Sequence, residues 1–429
     1  MNDIAAYAVD AMVKAGADKA SCTVSSGRKD EFNVEANKFS LLRTLFEDEL
    51  NLKAIKGGRK GTISVNKLDK ESIDKAVEEC VAFTASAAPD EAEDIAPLVE
   101  NKNFSRLIGG SDMGKLFSRS KELLEQVADQ YPQITLDLNS VFNSNKSAYA
   151  NSNGVEFGDE TEYYYLSTNF TAKDGEVSSS FNYYGMLMNS LAVPFLDMGM
   201  QRSLIEDSVK SITTRSIDDK FVGKIIVAPS CEDMIWHTIL GCFLDNYTMI
   251  SGTSRWKDAL GTVVADKKLT MSASPLSAEI IAGERYTGDG FISQNTDFIR
   301  DGVLKSFALD LYGANKTGKP RAANTASYSL DVAAGDTALA DMVKGIDKGI
   351  LLNRFSGAAP GPSGDISGVA KNSFLIENGQ VTDAISETMV SFNIVDILKS
   401  IPAISKERSA NGWSVLPWCC FDGVTVSGK

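Results

Sequence analysis

The sequence predicts an α+β protein of two domains, rich in antiparallel sheet. An α+β unit is expected over residues 1–195, and a β-rich unit carrying a few helices over residues 196–429. Three observations predict this. The chain's 429 residues exceed what one hydrophobic core ordinarily organises. Short apolar segments of strand-like alternation recur between turn pairs such as Asn153-Gly154, Asp174-Gly175, Asp289-Gly290, Asp301-Gly302, Asn378-Gly379 and Asp422-Gly423. Helical spacing is confined to a few stretches, and no repeat of fixed period runs through the chain.

In chain order, Asp3 caps a first helix with Ile4, Ala8, Met12 and Ala15 on one face and Gly16 at its end. Ala20, Cys22 and Val24 alternate as a strand, with a turn expected near Ser26-Gly27 before Phe32 to Val34. Leu50, Leu52 and Ala54 lead into a hairpin at Lys56-Gly57-Gly58-Arg59 that returns through Ile63 and Val65. Asp69 caps a helix carrying Ile73, Val77, Cys80 and Val81. Ala87 to Lys102, acidic and with two prolines, reads as a surface connection. A helix from Ser111 buries Leu116, Leu123, Leu124, Val127 and Ala128, and strands follow from Ile134. Tyr163 to Tyr165 and Tyr183-Tyr184 read as sheet packing. Helices are expected over Gln201 to Ser216, Cys231 to Asn246, Thr337 to Ile346 and Phe392 to Ile401. Strands are expected over Lys224 to Ala228 and Val303 to Tyr312.

Composition narrows the function classes. With 43% hydrophobic and 23% charged residues the chain reads as a soluble globular protein, and no run approaches the roughly 18 apolar residues of a membrane span. A net charge of −14, with no basic cluster, leaves nothing to replace nucleic-acid counterions. Neither nucleic acid nor membrane is therefore expected as a partner. Six scattered cysteines lack a disulfide framework, and the N-terminal stretch has acidic residues and no basic leader. A reduced, cytoplasmic protein is the expectation. The single histidine, His237, cannot build a multi-histidine zinc site alone. Phosphate-loop and nucleophile-elbow patterns are missing.

The most unusual stretch is Asn353 to Gln380, NRFSGAAPGPSGDISGVAKNSFLIENGQ. Gly357, Gly361, Gly364 and Gly368 let backbone approach backbone, or an extended ligand, where a Cβ would clash. Composition alone equally allows a flexible surface loop followed by an edge strand. The wording of the stretch resembles the C-terminal signature of the TldD/PmbA family, peptidase-related proteins also called modulators of DNA gyrase, and the PmbA (TldE) branch in particular.

The resemblance implies further expectations. TldD-type members carry His-Glu-x-x-x-His on the helix after a buried strand, with a later cysteine completing a zinc site. Here His237 and Cys242 fall on the two ligand positions, but Thr238 replaces the glutamate. Threonine cannot act as general base at neutral pH. Ser405 to Trp413 contains no cysteine, and Cys419-Cys420 resembles the family's last strand instead. The alternative reading of His237 and Cys242 is a buried helix bearing one satisfied histidine and a small apolar thiol. Around Tyr286 to Gly290 an acidic pair is thinned to Asp289, and Arg321 either contacts a peptide carboxylate or is simply solvated.

The expected function is that of a non-catalytic subunit of a two-component zinc metallopeptidase acting on extended peptides. Its partner would be a TldD-like catalytic subunit, zinc would be held only there, and this chain would bind no cofactor. Gly357, Gly361, Gly364, Asp365, Ser367 and Arg321 are the candidate peptide contacts. The alternative is a stand-alone homodimer that binds peptides without cleaving them.

Overall fold

The computed structural model describes every residue except 326–328, 359, 387 and 429, with the side chains at 232 and 233 also outside the description. Its first half is built on one twisted sheet. The strands Lys19–Glu35, Lys38–Lys56, Arg59–Val65, Ile134–Asn151 and Glu156–Asp174 pair antiparallel, and Lys102–Arg106 adds in parallel at one side. Even-numbered residues such as Cys22, Val24, Leu50, Leu52, Leu136 and Leu138 point to one face, as the period of two requires. The helices Asn2–Lys14 and Lys70–Phe83 cover one end of that face, while Met113–Gln130 and Gln201–Lys210 cover the other. Asp69 and Asp112 cap their helices as acceptors for Ser72 N and Lys115 N.

Two local expectations fail here. No turn forms at Ser26-Gly27, because Lys19–Glu35 is one continuous strand held by partners on both sides. The acidic connection is not merely superficial either. Ala92, Glu93, Ile95 and Ala96 are buried, and Asp90 accepts from Tyr312 Oη at 2.9 Å and pairs with Lys316, tying the first half to the second.

The second sheet is mixed and winds around the long strand Ser414–Ser427. Phe221–Val227 pairs antiparallel with it and parallel with Lys348–Leu352. Phe374–Glu377 and Gln380–Ser386 form the hairpin expected at Asn378-Gly379, both at positive φ. Arg354–Gly357, Asp365–Lys371 and Thr388–Asn393 form a side branch that joins Ser414–Ser427. The architecture is α+β, as expected.

Some elements of this half differ from the sequence reading. Val303 to Tyr312 supplies only the strand Val303–Leu304, after which Asp310 caps a short helix Leu311–Thr317 that stops at Gly318 (φ +66). Phe392-Asn393 ends a strand, and the Asn393 side chain starts the four-residue helix Ile394–Ile397. Gly423 lies inside Ser414–Ser427 at φ +79, where the register with Gly223 and Ile225 slips. It is a bulge and not a turn. Gln201–Lys210 ends six residues earlier than expected, at the C-cap Ser211.

Candidate functional site

The site begins with the buried strand Phe221–Val227. Pro229 at the first helical position launches the helix Pro229–Ile239, which buries Ile235, Trp236 and Ile239 against the second core. The helix then widens into a π-turn, Leu240–Leu244, where Asp245 N donates to Leu240 O at 2.9 Å. π-turns of this kind recur at functional positions because one extra residue per turn re-aims side chains. Asp245 breaks out in extended conformation and caps Asn246–Ile250, accepting from Thr248 N at 2.9 Å. The sequence reading of one helix to Asn246 missed this turn, which has no compositional signature.

The three motif positions have separate fates. His237 is exposed on the helix surface. Thr238 is buried, and its hydroxyl donates to Met234 O at 2.7 Å, one turn back along its own helix. Cys242 is buried in the π-turn, its Sγ 3.4 Å from Pro360 O, and burial followed by the Asp245 charge pushes its thiol pKa up. Zinc prefers thiolate, so both the hydrogen bond and the shift oppose metal ligation at this sulfur. Among the described residues no group of three or more His, Cys, Asp or Glu side chains gathers to hold a metal ion. The described residues around Thr238 and Cys242 therefore do not assemble a zinc centre.

The Cys242–Pro360 contact brings the glycine-rich segment onto this helix, across 118 positions of sequence. Gly364 (φ +78) is fixed there: a Cβ would lie 3.0 Å from both Phe243 Cζ and Ile394 Cγ2. Arg255 Nη1 and Asn393 Nδ2 each donate to Ser363 O at 2.9 Å. Gly357 and Gly368 face each other across the strand pair and leave room for the Phe355 ring, whose Cζ would stand 2.4 Å from a Cβ at 368. Gly361 has open space around its Cα. Asp365 accepts from Asn393 Nδ2 at 2.9 Å, and that bond, with Ser363, holds its carboxyl below the usual range. Asp365 and Ser367 share the exposed face of their strand and line an open groove with Ser391, Asn393 and Thr425.

Arg321 lies apart from this assembly. Its Nε and Nη2 donate to the two carboxylate oxygens of Asp289 at 2.8 and 2.6 Å, and Nη2 reaches Thr287 Oγ1 at 2.8 Å. The guanidinium stacks 3.8 Å from the Phe291 ring centre. Burial raises the Asp289 carboxyl, but the Arg321 bonds outweigh it and the net shift is downward. The solvated alternative for Arg321 is therefore corrected: the side chain is part-buried in a two-pronged ion pair.

Sequence reasoning missed one group beside the glycine-rich strands. Arg354 opens the strand Arg354–Gly357 and lies 3.8 Å from the Phe181 ring and 4.5 Å from Tyr183. Tyr184 is core, as expected for sheet packing, whereas Phe181 and Tyr183 are exposed. Among the described residues, Arg354–Gly357 pairs only with Asp365–Lys371, so its outer edge is unpaired backbone.

A buried strand feeding a helix that opens into a π-turn, closed over by a glycine-rich segment, is thus the frame of the second half. Residues 115–207 match the PmbA/TldA metallopeptidase central domain and residues 222–428 the corresponding C-terminal domain. The chain belongs to the PmbA/TldD family. It is similar to a metalloprotease of Methanocaldococcus jannaschii, 22% identical over 214 residues, so the chain spans about half (47%) of that relative's length. A PmbA homologue of Haemophilus influenzae is 21% identical over 425 residues, covering 94% of this chain and 90% of its own. TldE from Thermococcus kodakarensis shares the fold at 17% identity, with a TM-score of 0.86 over 99% of both chains.

Proposed function

We propose that this chain is the non-catalytic subunit of a two-component zinc metallopeptidase that processes or degrades extended peptides. The metal and its activating carboxylate belong to a TldD-type catalytic partner. The observation that carries the reading is Thr238. At the position where a catalytic member presents a glutamate to metal-bound water, this chain buries a hydroxyl already donated to Met234 O. Neither its acidity nor its direction suits proton abstraction. The raised Cys242 thiol supports the same reading.

The chain's own part is to hold peptide. The unpaired edge of Arg354–Gly357, the open Gly361 and the Asp365–Ser367 groove offer main-chain and small polar contacts to an extended segment. Backbone recognition of this kind tolerates varied side chains. All six cysteines are buried, with no disulfide between them, which suits a reducing cytoplasm. No helix among the described residues is long and apolar enough to cross a membrane.

Size-exclusion chromatography with zinc analysis tests the reading, on the chain alone and co-expressed with a TldD-type subunit. The expected result is a metal-free chain inert toward an unstructured peptide, and a zinc-containing complex that digests it. Stoichiometric zinc and cleavage by the chain alone would overturn the proposal.

A further inference from the structure

The strand Asn182–Met188 ends one side of the first sheet and, among the described residues, pairs only with Glu156–Asp174. Leu187 N donates away from that partner, to Asn411 O at 2.8 Å. The register from Asn182 to Met188 runs without a slip, so Gly185, two residues back, turns its own N–H and C=O the same way. No hydrogen bond among the described residues engages either group.

Gly185 lines a cavity of about 120 Å³ between the two halves of the chain. The lining comes from both faces of the strand, Tyr184 and Met200 on the core side and Tyr183 and Trp413 on the other. The cavity therefore sits at the strand's open edge. Glycine at 185 lets the Trp413 ring close over the strand, since a Cβ would lie 2.9 Å from its Cη2. Tyr184, only 7% exposed, has a hydroxyl that forms no well-shaped hydrogen bond, with the Met200 backbone and the Ser409 hydroxyl as its polar neighbours. An unpaired buried hydroxyl is costly, and a main-chain amide in the cavity would satisfy it.

The cavity also adjoins the open strand edge of the glycine-rich region. Ser230, in its wall, donates from Oγ to Asn353 O at 2.9 Å, and the Tyr183 ring lies 4.5 Å from the Arg354 guanidinium.

We propose that this cavity is a side-chain subsite for an extended peptide carrying a bulky aliphatic residue, leucine or methionine in size. The main chain of that residue pairs with Gly185 N–H and C=O, as in strand addition, and its side chain packs on Trp413, Met200 and Leu416. Size and charge set the class. A cavity of about 150 Å³ accepts benzene. One of about 120 Å³ takes a leucine-sized chain and excludes tyrosine and tryptophan. No charged side chain among the described residues lines it, so a lysine or glutamate there would be buried without a partner. The inference rests on the reading that this chain holds extended peptide, and adds which residue it selects.

Photo-cross-linking of the full chain tests it, with a capped serine/threonine peptide bearing one central photo-leucine. Cross-links are expected on Trp413, Met200 or Leu416. A competitor with central leucine is expected to displace the probe about tenfold or more better than one with central glycine or lysine. Ser409→Phe fills the cavity and is expected to abolish those cross-links at unchanged thermal unfolding. Should that variant fail to fold, Trp413→Ala widens the cavity instead and is expected to shift the preference from leucine toward tyrosine. Cross-links confined to Arg354–Gly357 or to Asp365 and Ser367 would overturn the subsite and leave peptide holding intact. Equal competition by leucine and glycine, or a preference unmoved by either variant, would overturn it likewise. No specific cross-link at all would overturn both the subsite and the peptide-holding reading.

Discussion

The Arg321–Asp289 pair and the glycine-rich segment over the π-turn were both conspicuous in the sequence, and they are opposite kinds of place. The first holds the more reactive-looking side chain, yet its donors face a carboxylate, a hydroxyl and an aromatic ring inside the protein. The second has few functional groups, yet it leaves a strand edge, an open glycine and an exposed strand face available. Chemical expressiveness in a sequence is thus a poor guide to availability. A charged group in a fold finds a partner whenever one is within reach, whereas backbone stays open wherever side chains are too small to close it.

The contrast can be broken most strongly at the ion pair. Arg321→Met leaves the part-buried Asp289 carboxylate without its charged partner and is expected to destabilise the protein by about 1–3 kcal/mol in denaturant unfolding. The pH dependence has a defined sign. The folded-state carboxyl lies below its ordinary value of about 3.9, so its stabilisation is fully present above that value. It is lost as pH falls through the lowered folded pKa. A loss near zero for Arg321→Met would free Arg321 for a peptide carboxylate and erase the distinction.

Gly364→Ala comes next. Its positive φ and the close approach of Phe243 and Ile394 should cost about 1–3 kcal/mol and loosen the segment from the π-turn. If thermal unfolding is unchanged, the segment is not anchored there. Thr238→Ala removes only the bond to Met234 O and is expected to cost about 1 kcal/mol or less. Peptidase activity of the zinc-containing complex should stay within about twofold, a barrier change of under ~0.5 kcal/mol. A large fall in activity would show that the threonine takes part in catalysis. Gly361→Ala should change stability by less than about 0.5 kcal/mol, since nothing lies near its Cα. Peptide affinity, read by fluorescence anisotropy, should fall if the open backbone is where peptide lies, and unaltered affinity would move the contact elsewhere.

By itself the sequence determined the elements whose cause is local. Asp69 caps its helix as expected, whereas Asp3 lies inside the first turn of a helix that starts from Met1 without a side-chain cap; Lys56 to Arg59 and Asn378-Gly379 turn where glycine and asparagine allow positive φ, and alternation from Ile134 to Leu138 makes a one-sided strand. That position 238 carries a hydroxyl and no acid was also legible, because a functional group's identity does not depend on its surroundings. The tertiary structure alone decided which distant groups meet. Asp289 and Arg321 are 32 positions apart, and Cys242 and Pro360 are 118 apart; no periodicity encodes either contact. Likewise Gly27 reads as a turn in isolation but stays extended, because neighbouring strands satisfy its backbone on both sides. Burial and long-range hydrogen bonding outweigh the fraction of a kilocalorie or so that a local preference supplies.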